Sequence, residues 1–266
     1  VDSFYRHRRE KWEKQHLVYK TLDQNDLNLA FNRELARESS EGAYILKIRK
    51  SEKELIEAID KLRADLDRLC KEETAELPRL YFDRHLYLPL LLEKSDLLRA
   101  IPPGLVESEA RFVKDLKEYW EKEKEQSLKG KEIFLLRNLG RGKGVGFFEE
   151  SGFYPDFILW VVDNKNQRLV FIEPHGVLHA RAYLHDEKAR FHERLPDLAK
   201  AIEERSHKKG ITLDSFIISA TPYENLHEKY DDGTWDMEKF AQKHILFPLR
   251  DGGYDYIKII LESRGR

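Results

Sequence analysis

A single cysteine, Cys70, and a single methionine, Met237, stand among 266 residues. One thiol excludes an internal disulfide and a zinc site built from cysteines, and it fits a reducing compartment. Packing is the expected role of Cys70. Long hydrophobic runs are missing too. No apolar stretch approaches the roughly 20 residues needed to span a bilayer, and the charged opening Arg6-His7-Arg8-Arg9 leads into no signal-peptide core. A cytoplasmic protein without membrane contact is expected, and the lack of methionine before residue 237 suggests a piece of a longer chain. Charge of one sign is lacking as well, because 47 basic residues meet 49 acidic ones for a formal net charge of −2. That balance neither demands nor excludes nucleic acid, since a local basic groove can sit on a neutral protein.

What is present suffices for a sizeable core: 41% of the chain is hydrophobic, and its length allows one large domain or two modest ones. In residues 1–38 the apolar positions Trp12, Tyr19, Leu22, Leu27 and Leu29 are too irregular to predict one helix. The basic opening could touch a phosphate backbone, but a solvated helix face is the simpler reading. Residues 43–48 read as a strand. Across residues 51–76, Leu55, Ile59, Leu62, Leu66 and Leu69 alternate steps of four and three, the seam of an amphipathic helix, with Ser51 and Glu54 as its capping box. Residues 80–92 form a leucine-rich element interrupted at Pro89. Pro102-Pro103-Gly104 is the clearest break, so a mainly helical connector is expected over 1–104 and a second domain over 105–266.

Residues 153–175 organise that second domain. Two apolar runs flank a polar turn at 163–166, which predicts a hairpin. If Val162 faces Gln167, Asp156 stands directly opposite Glu173. Opposed side chains lie roughly 5 Å apart at Cβ, and like charges there destabilise the pair. A divalent cation is the simplest compensation, and Mg²⁺ suits it because that ion takes hard oxygen ligands and usually only one or two carboxylates. Strand alternation puts His175 on the face of Glu173, so an Asp, a Glu and a His are expected to converge.

Pro155-Asp156, about sixteen residues, then Glu173-Pro174-His175 resembles the PD-(D/E)XK nuclease signature, with His175 in place of the motif Lys. The resemblance implies that Asp156, Glu173 and the carbonyl of Pro174 hold Mg²⁺ or Mn²⁺. His175 would then do the work of the lysine, and activity would change over the range in which an imidazole titrates. Phe82-Asp83-Arg84-His85-Leu86-Tyr87-Leu88-Pro89-Leu90-Leu91, Ser108-Glu109-Ala110-Arg111-Phe112-Val113, and Phe147-Phe148 ahead of Phe153-Tyr154-Pro155-Asp156 resemble the C-terminal part of restriction-type DEAD/DEAH-box helicases, of the type III restriction enzyme kind. That likeness covers residues 75–225. It implies an α/β fold in which a helical N-terminal region precedes a restriction-endonuclease-like mixed sheet flanked by helices. It also implies DNA as partner and a helicase motor outside this chain, which itself carries no Walker loop or Asp-Glu-x-His box. The function implied is metal-dependent hydrolysis of DNA in restriction or defence. The alternative is a catalytically degenerate nuclease-fold module that binds DNA or a partner subunit. The Lys-to-His change supports that alternative and the retained acid pair opposes it; a purely structural α/β domain is a third reading.

Ser108 caps a helix to about residue 124 with Val113, Leu116 and Trp120 buried. Glu109 shares that inward face, either for the helix dipole or, by the resemblance, to reach the metal, with Glu107 as the fallback. Strands are expected at 132–137 and 144–149, joined by a glycine-rich tip whose Arg137, Arg141 and Lys143 either meet DNA phosphates or form an exposed turn. A helix to about 204 buries Phe191, Leu195, Leu198 and Ile202, with Pro196 kinking or dividing it. Lys188 ahead of it could supply the missing ammonium to the acid pair. A His175 and His179 zinc pair is disfavoured because Pro174 and Gly176 interrupt the helix it requires. Further strands are expected at 213–220, 244–249 and 254–261.

Overall fold

The structure, a computed structural model, describes residues 2–21, 45–63, 79–80, 85–86, 91–92, 96, 98–101, 103–138, 153–164, 166–176, 182–227, 229–248 and 255–262. Contacts divide the chain into two compact units, Val1–Asp83 with Tyr87–Ala110, and Arg84–Leu86 with Arg111–Arg266.

The first unit contains helix α1 (Asp2–His16), strands β1 (Leu17–Thr21) and β2 (Ile45–Arg49), helix α2 (Lys53–Arg63) and the short strand β3 (Arg79–Leu80). Strand β4 (His85–Leu86) belongs to the second unit, and β5 (Leu91–Leu92) and β6 (Leu98–Ile101) return to the first. β1, β2 and β6 form an antiparallel sheet in that order, so the described part of the first hundred residues holds strands beside its helices. The Leu-Val-Tyr-Lys-Thr of β1 suits a strand and follows α1 without a linker. Helix α1 escaped the periodicity argument because residues 6–12 are all exposed, so no buried stripe writes itself into the sequence. Leu46, Ile48, Leu55, Ile59 and Leu98 are buried and supply this unit's core. The expected capping box is not formed: the Ser51 hydroxyl donates to Glu52 (3.1 Å), and the Ile56 N–H bonds to the Glu52 carbonyl (3.0 Å), so Glu52 opens α2.

The division between units falls inside helix α3 (Glu107–Glu123), and Ser108 lies within its first turn rather than capping it. Strands β7 (Lys131–Arg137), β8 (Phe157–Asp163) and β9 (Asn166–His175) follow. Next come α4 (Glu187–Arg190), α5 (Leu195–Ser206), β10 (Ile211–Ser219), α6 (Tyr223–His227), α7 (Met237–Gln242), β11 (Ile245–Leu246) and α8 (Asp255–Glu262). The described strands make a mixed sheet in the order β11-β10-β9-β8-β7-β4. β7, β8 and β9 are antiparallel, and β10, β11 and β4 join in parallel. The protein is therefore α/β, with helices beside a mixed sheet. Pro196 divides the expected long helix: Phe191–Arg194 is a 3₁₀ turn, and α5 starts with the proline in its first turn, where a missing N–H is tolerated. The strand expected at 254–261 is helix α8. Tyr256, Ile257, Ile260 and Leu261 are buried while Lys258 and Ile259 face out, a helical stripe that isoleucine-rich composition disguised as alternation. The strand expected at 144–149 and the glycine-rich tip lie outside the described residues.

Side chains alternate across this sheet and sort its two faces. Phe157, opposite Ile172, packs its ring on Phe112 of α3 with centroids 5.3 Å apart. On the other face Ile158, Phe171 and Leu213 pack with Phe191, Leu195 and Ala199. Each such large apolar side chain stabilises the fold by about 1.5–3 kcal/mol when fully buried. One ion pair is buried with them. Arg168 donates to Asp214 Oδ2 (2.8 Å) and to the Ile260 carbonyl (2.7 Å), fastening β9 to β10 and to α8. Burial alone raises the Asp214 pKa, but His244 and Arg168 outweigh it and hold the carboxyl below its usual range. Asp214→Ala strands the Arg168 guanidinium and is expected to cost about 3–5 kcal/mol in urea unfolding; a loss under about 1 kcal/mol would show the pair to be dispensable.

Candidate active site

The hairpin has the predicted register, with Val162 opposite Gln167 and Phe157 opposite Ile172. Asn164 makes the turn at φ 54, a left-handed conformation that asparagine tolerates. Register matters because a slip of one residue would send Glu173 to the opposite face. One residue ahead of β8, the Asp156 backbone N–H donates to Glu173 Oε2 at 3.2 Å. The Glu173 carboxylate thus meets the Asp156 backbone at one end of the sheet. Asn138, just past β7, fixes that approach: its N–H donates to the Asp156 carbonyl (2.8 Å) and its side-chain amide to the Pro155 carbonyl (2.8 Å).

Glu173 is only 5% exposed. Phe171 precedes it by two on the same face, and Ile217 is its partner on β10, so the carboxylate stands where two apolar clusters adjoin. An ionised group there is costly unless paired and hydrogen-bonded. Both oxygens are engaged: Oε2 by the Asp156 N–H and Oε1 by the Lys188 ammonium. Lys188 comes from α4, whose start is capped by Asp186 accepting from the Ala189 N–H at 3.0 Å. Burial pushes the Asp186 carboxyl above its usual range, against the pull of that N–H, His175 and Lys188. The Lys188 Nζ also lies 5.7 Å from the centroid of the Phe153 ring, a cation–π contact. The lysine is 43% exposed along its side chain, so it faces solvent from above a buried acid.

The other candidates fall differently. His175 is exposed at the end of β9, its carbonyl accepting the Ala220 N–H at 3.1 Å. Among the described residues no group of three or more His, Cys, Asp and Glu side chains is placed to hold a metal ion, so the Asp-Glu-His convergence is not formed. Alternation gave His175 the right face, but two residues of strand carry it beyond the acids. Pro174 is buried and paired with Ile218. Glu109 Oε2 accepts the Val106 N–H at 3.2 Å, which makes it the reciprocal cap of its own helix in the first unit. Glu107 is exposed. Arg137 ends β7 opposite Phe157 and is half-buried, whereas Arg141, Lys143 and His179 lie outside the described residues. No helix among the described residues is long and apolar enough to cross a membrane.

Neither a protein-family model, a curated protein nor a solved structure matches this chain. The site is therefore read from its own chemistry.

Two groups of residues escaped the sequence reading. Asn138 carried only a weak signal, an amide directly after a strand. The second group has no local signal because it gathers distant segments. The Tyr183 hydroxyl donates to Glu193 (2.8 Å), His192 stacks on His244 with centroids 3.9 Å apart, and His244 Nδ1 pairs with Asp214 (2.9 Å). Burial and the adjacent His244 lower the His192 pKa. These contacts brace the segment that presents Lys188.

Replacing Lys188 by Met is expected to destabilise the protein by about 1–2 kcal/mol, less than a fully buried pair because solvent reaches the lysine. Glu173→Gln in the same background should recover most of that loss. Equal urea midpoints for wild type and Lys188→Met would show that the ion pair contributes nothing.

Proposed function

We propose that the second unit is a metal-dependent nuclease module that hydrolyses phosphodiester bonds of DNA, working with a helicase motor in restriction or defence against foreign DNA. The observation that supports it most is the hairpin register that joins Asp156 to Glu173 with the Lys188 ammonium on the same carboxylate. Two carboxylates and a nearby carbonyl are the donor chemistry that Mg²⁺ or Mn²⁺ accepts, with water completing the shell. Asp156, Glu173 and the Pro174 carbonyl are the groups that would hold the ion. Bound there, a divalent cation supplies Lewis-acid polarisation of a phosphate and acidifies water.

The chain's own residues do the rest. Asn138 holds the Asp156 segment in place. Lys188 provides the fixed positive charge that the resembled family takes from its motif lysine, and His175 is relieved of that role. With Glu173 serving as a ligand to a cation, the Lys188 ammonium would be available to hydrogen-bond a non-bridging phosphate oxygen. Water then adds to phosphorus, the bond to the leaving sugar oxygen breaks, and a proton ends on that oxygen. A second reading, a nuclease-fold module that binds DNA without cleaving it, is favoured by one observation: Lys188 already compensates Glu173 without any cation.

Supercoiled-plasmid nicking in Mg²⁺ and Mn²⁺ separates the two. Wild type is expected to nick only with a divalent cation. Asp156→Ala and Glu173→Ala should abolish nicking, Lys188→Met should slow it about 10²-fold or more, and His175→Ala should retain most of it. Absence of nicking in wild type with retained DNA binding would favour the second reading, and full activity in Glu173→Ala would remove the first.

A further inference from the structure

The first unit carries a surface that the nuclease reading does not use. We propose that α1 and the adjoining β1 form a binding surface for single-stranded nucleic acid. Arg6, His7, Arg8, Arg9, Lys11 and Lys14 stand along residues 6–16 against only two acids, Glu10 and Glu13. Trp12 is 51% exposed and Tyr19, just beyond the helix, 45%. Arg8, Trp12 and His16 recur every four residues, so they share one stripe of the helix. The Trp12 indole lies flat against the His16 ring, with centroids 4.7 Å apart and planes 13° from parallel. His16 Nδ1–H donates to the Trp12 carbonyl at 2.9 Å, which fixes that platform.

Glu13 offsets the charge of Arg9 and at the same time fastens the helix to its neighbours. Its carboxylate collects the Tyr19 hydroxyl, Arg9 (3.0 Å) and Lys47 (3.3 Å), tying α1 to β1 and β2. Those contacts, the Tyr19 hydroxyl first and Arg9 next, hold its pKa down to about 2, so the knot persists at any ordinary pH. The Lys47 ammonium also lies 5.1 Å from the Tyr19 ring centroid. At the far end, Lys50 closes the helix by donating its N–H to the His16 carbonyl (2.9 Å) and its ammonium to the Lys14 carbonyl (3.0 Å).

A rigid indole among cations is the arrangement that binds single strands: aromatic faces take unpaired bases and the basic groups track phosphates. A duplex keeps its base faces stacked inside. A bilayer would require a continuous apolar stripe, whereas the row of α1 that carries Trp12 also carries Arg8 and His16. The surface involves none of the residues at the acid pair, and it stands whether or not the second unit cleaves DNA.

The test is fluorescence anisotropy of a fluorescein-labelled oligothymidylate with the full chain in EDTA, where no divalent cation supports cleavage. Salt-sensitive binding is expected. Trp12→Ala should weaken it about tenfold, in line with the loss of one stacked base, while Trp12→Phe should keep most of the affinity. Arg8→Gln with Lys11→Gln should make the salt slope shallower by about 0.7 for each phosphate contact removed. Trp12 is exposed, so thermal unfolding of its variants should match wild type. Unchanged affinity in Trp12→Ala, equal affinity for a duplex of the same length, or binding to anionic vesicles but not to the oligonucleotide would each overturn the proposal.

Discussion

A carboxylate held almost out of water between two apolar clusters requires a counter-charge, and Glu173 finds it in Lys188. Much of the second unit is arranged around that requirement. β8 and β10 flank β9 so that Glu173 is enclosed on both sides. From residue 182 the described chain ahead of β10 packs over the same face as short turns and helices, and brings the ammonium with it. Asp156 enters the same arrangement through its backbone, donating to the oxygen that Lys188 leaves. The acid is thereby satisfied on both oxygens without any ligand.

That satisfaction changes the argument for a cation. Two acids at opposed positions of a hairpin create an electrostatic debt, and from the sequence a metal ion is the simplest way to settle it. The structure shows a lysine already offsetting the charge on Glu173, so stability alone does not demand a metal. What the arrangement retains is hard oxygen donors beside a fixed cation at one end of the sheet, the combination suited to phosphate chemistry. The proposed catalytic reading rests on that chemistry. It does not rest on any cost of leaving the acids bare.

The parts of this site legible in the sequence were those governed by local periodicity. Alternation about a short polar turn was enough to pair Val162 with Gln167, and from there Asp156 with Glu173. Lys188 could be named only as a candidate, because the path of the chain over the sheet decides whether an ammonium fifteen residues away arrives. His175 is exposed at the end of β9 and joins no metal-holding group among the described residues, because alternation fixes a face and is silent on distance along the strand. Elsewhere, α8 was misread as a strand because its isoleucines and Tyr256 carry strand propensity while their burial follows the helical period. Helix α1 was missed because its residues 6–12 are all exposed and leave no buried apolar stripe, and Glu13 ties it to the neighbouring strands.

The proposed function requires that Asp156 and Glu173 form one divalent-cation site at the end of the mixed sheet. Calorimetric titration of Mn²⁺ into the intact chain, and into Asp156→Ala with Glu173→Ala, tests it most directly. The account expects one binding event in the intact chain that disappears in the double variant, with thermal unfolding showing that the variant remains folded. No binding by the intact chain, or binding that survives loss of both acids, would contradict it.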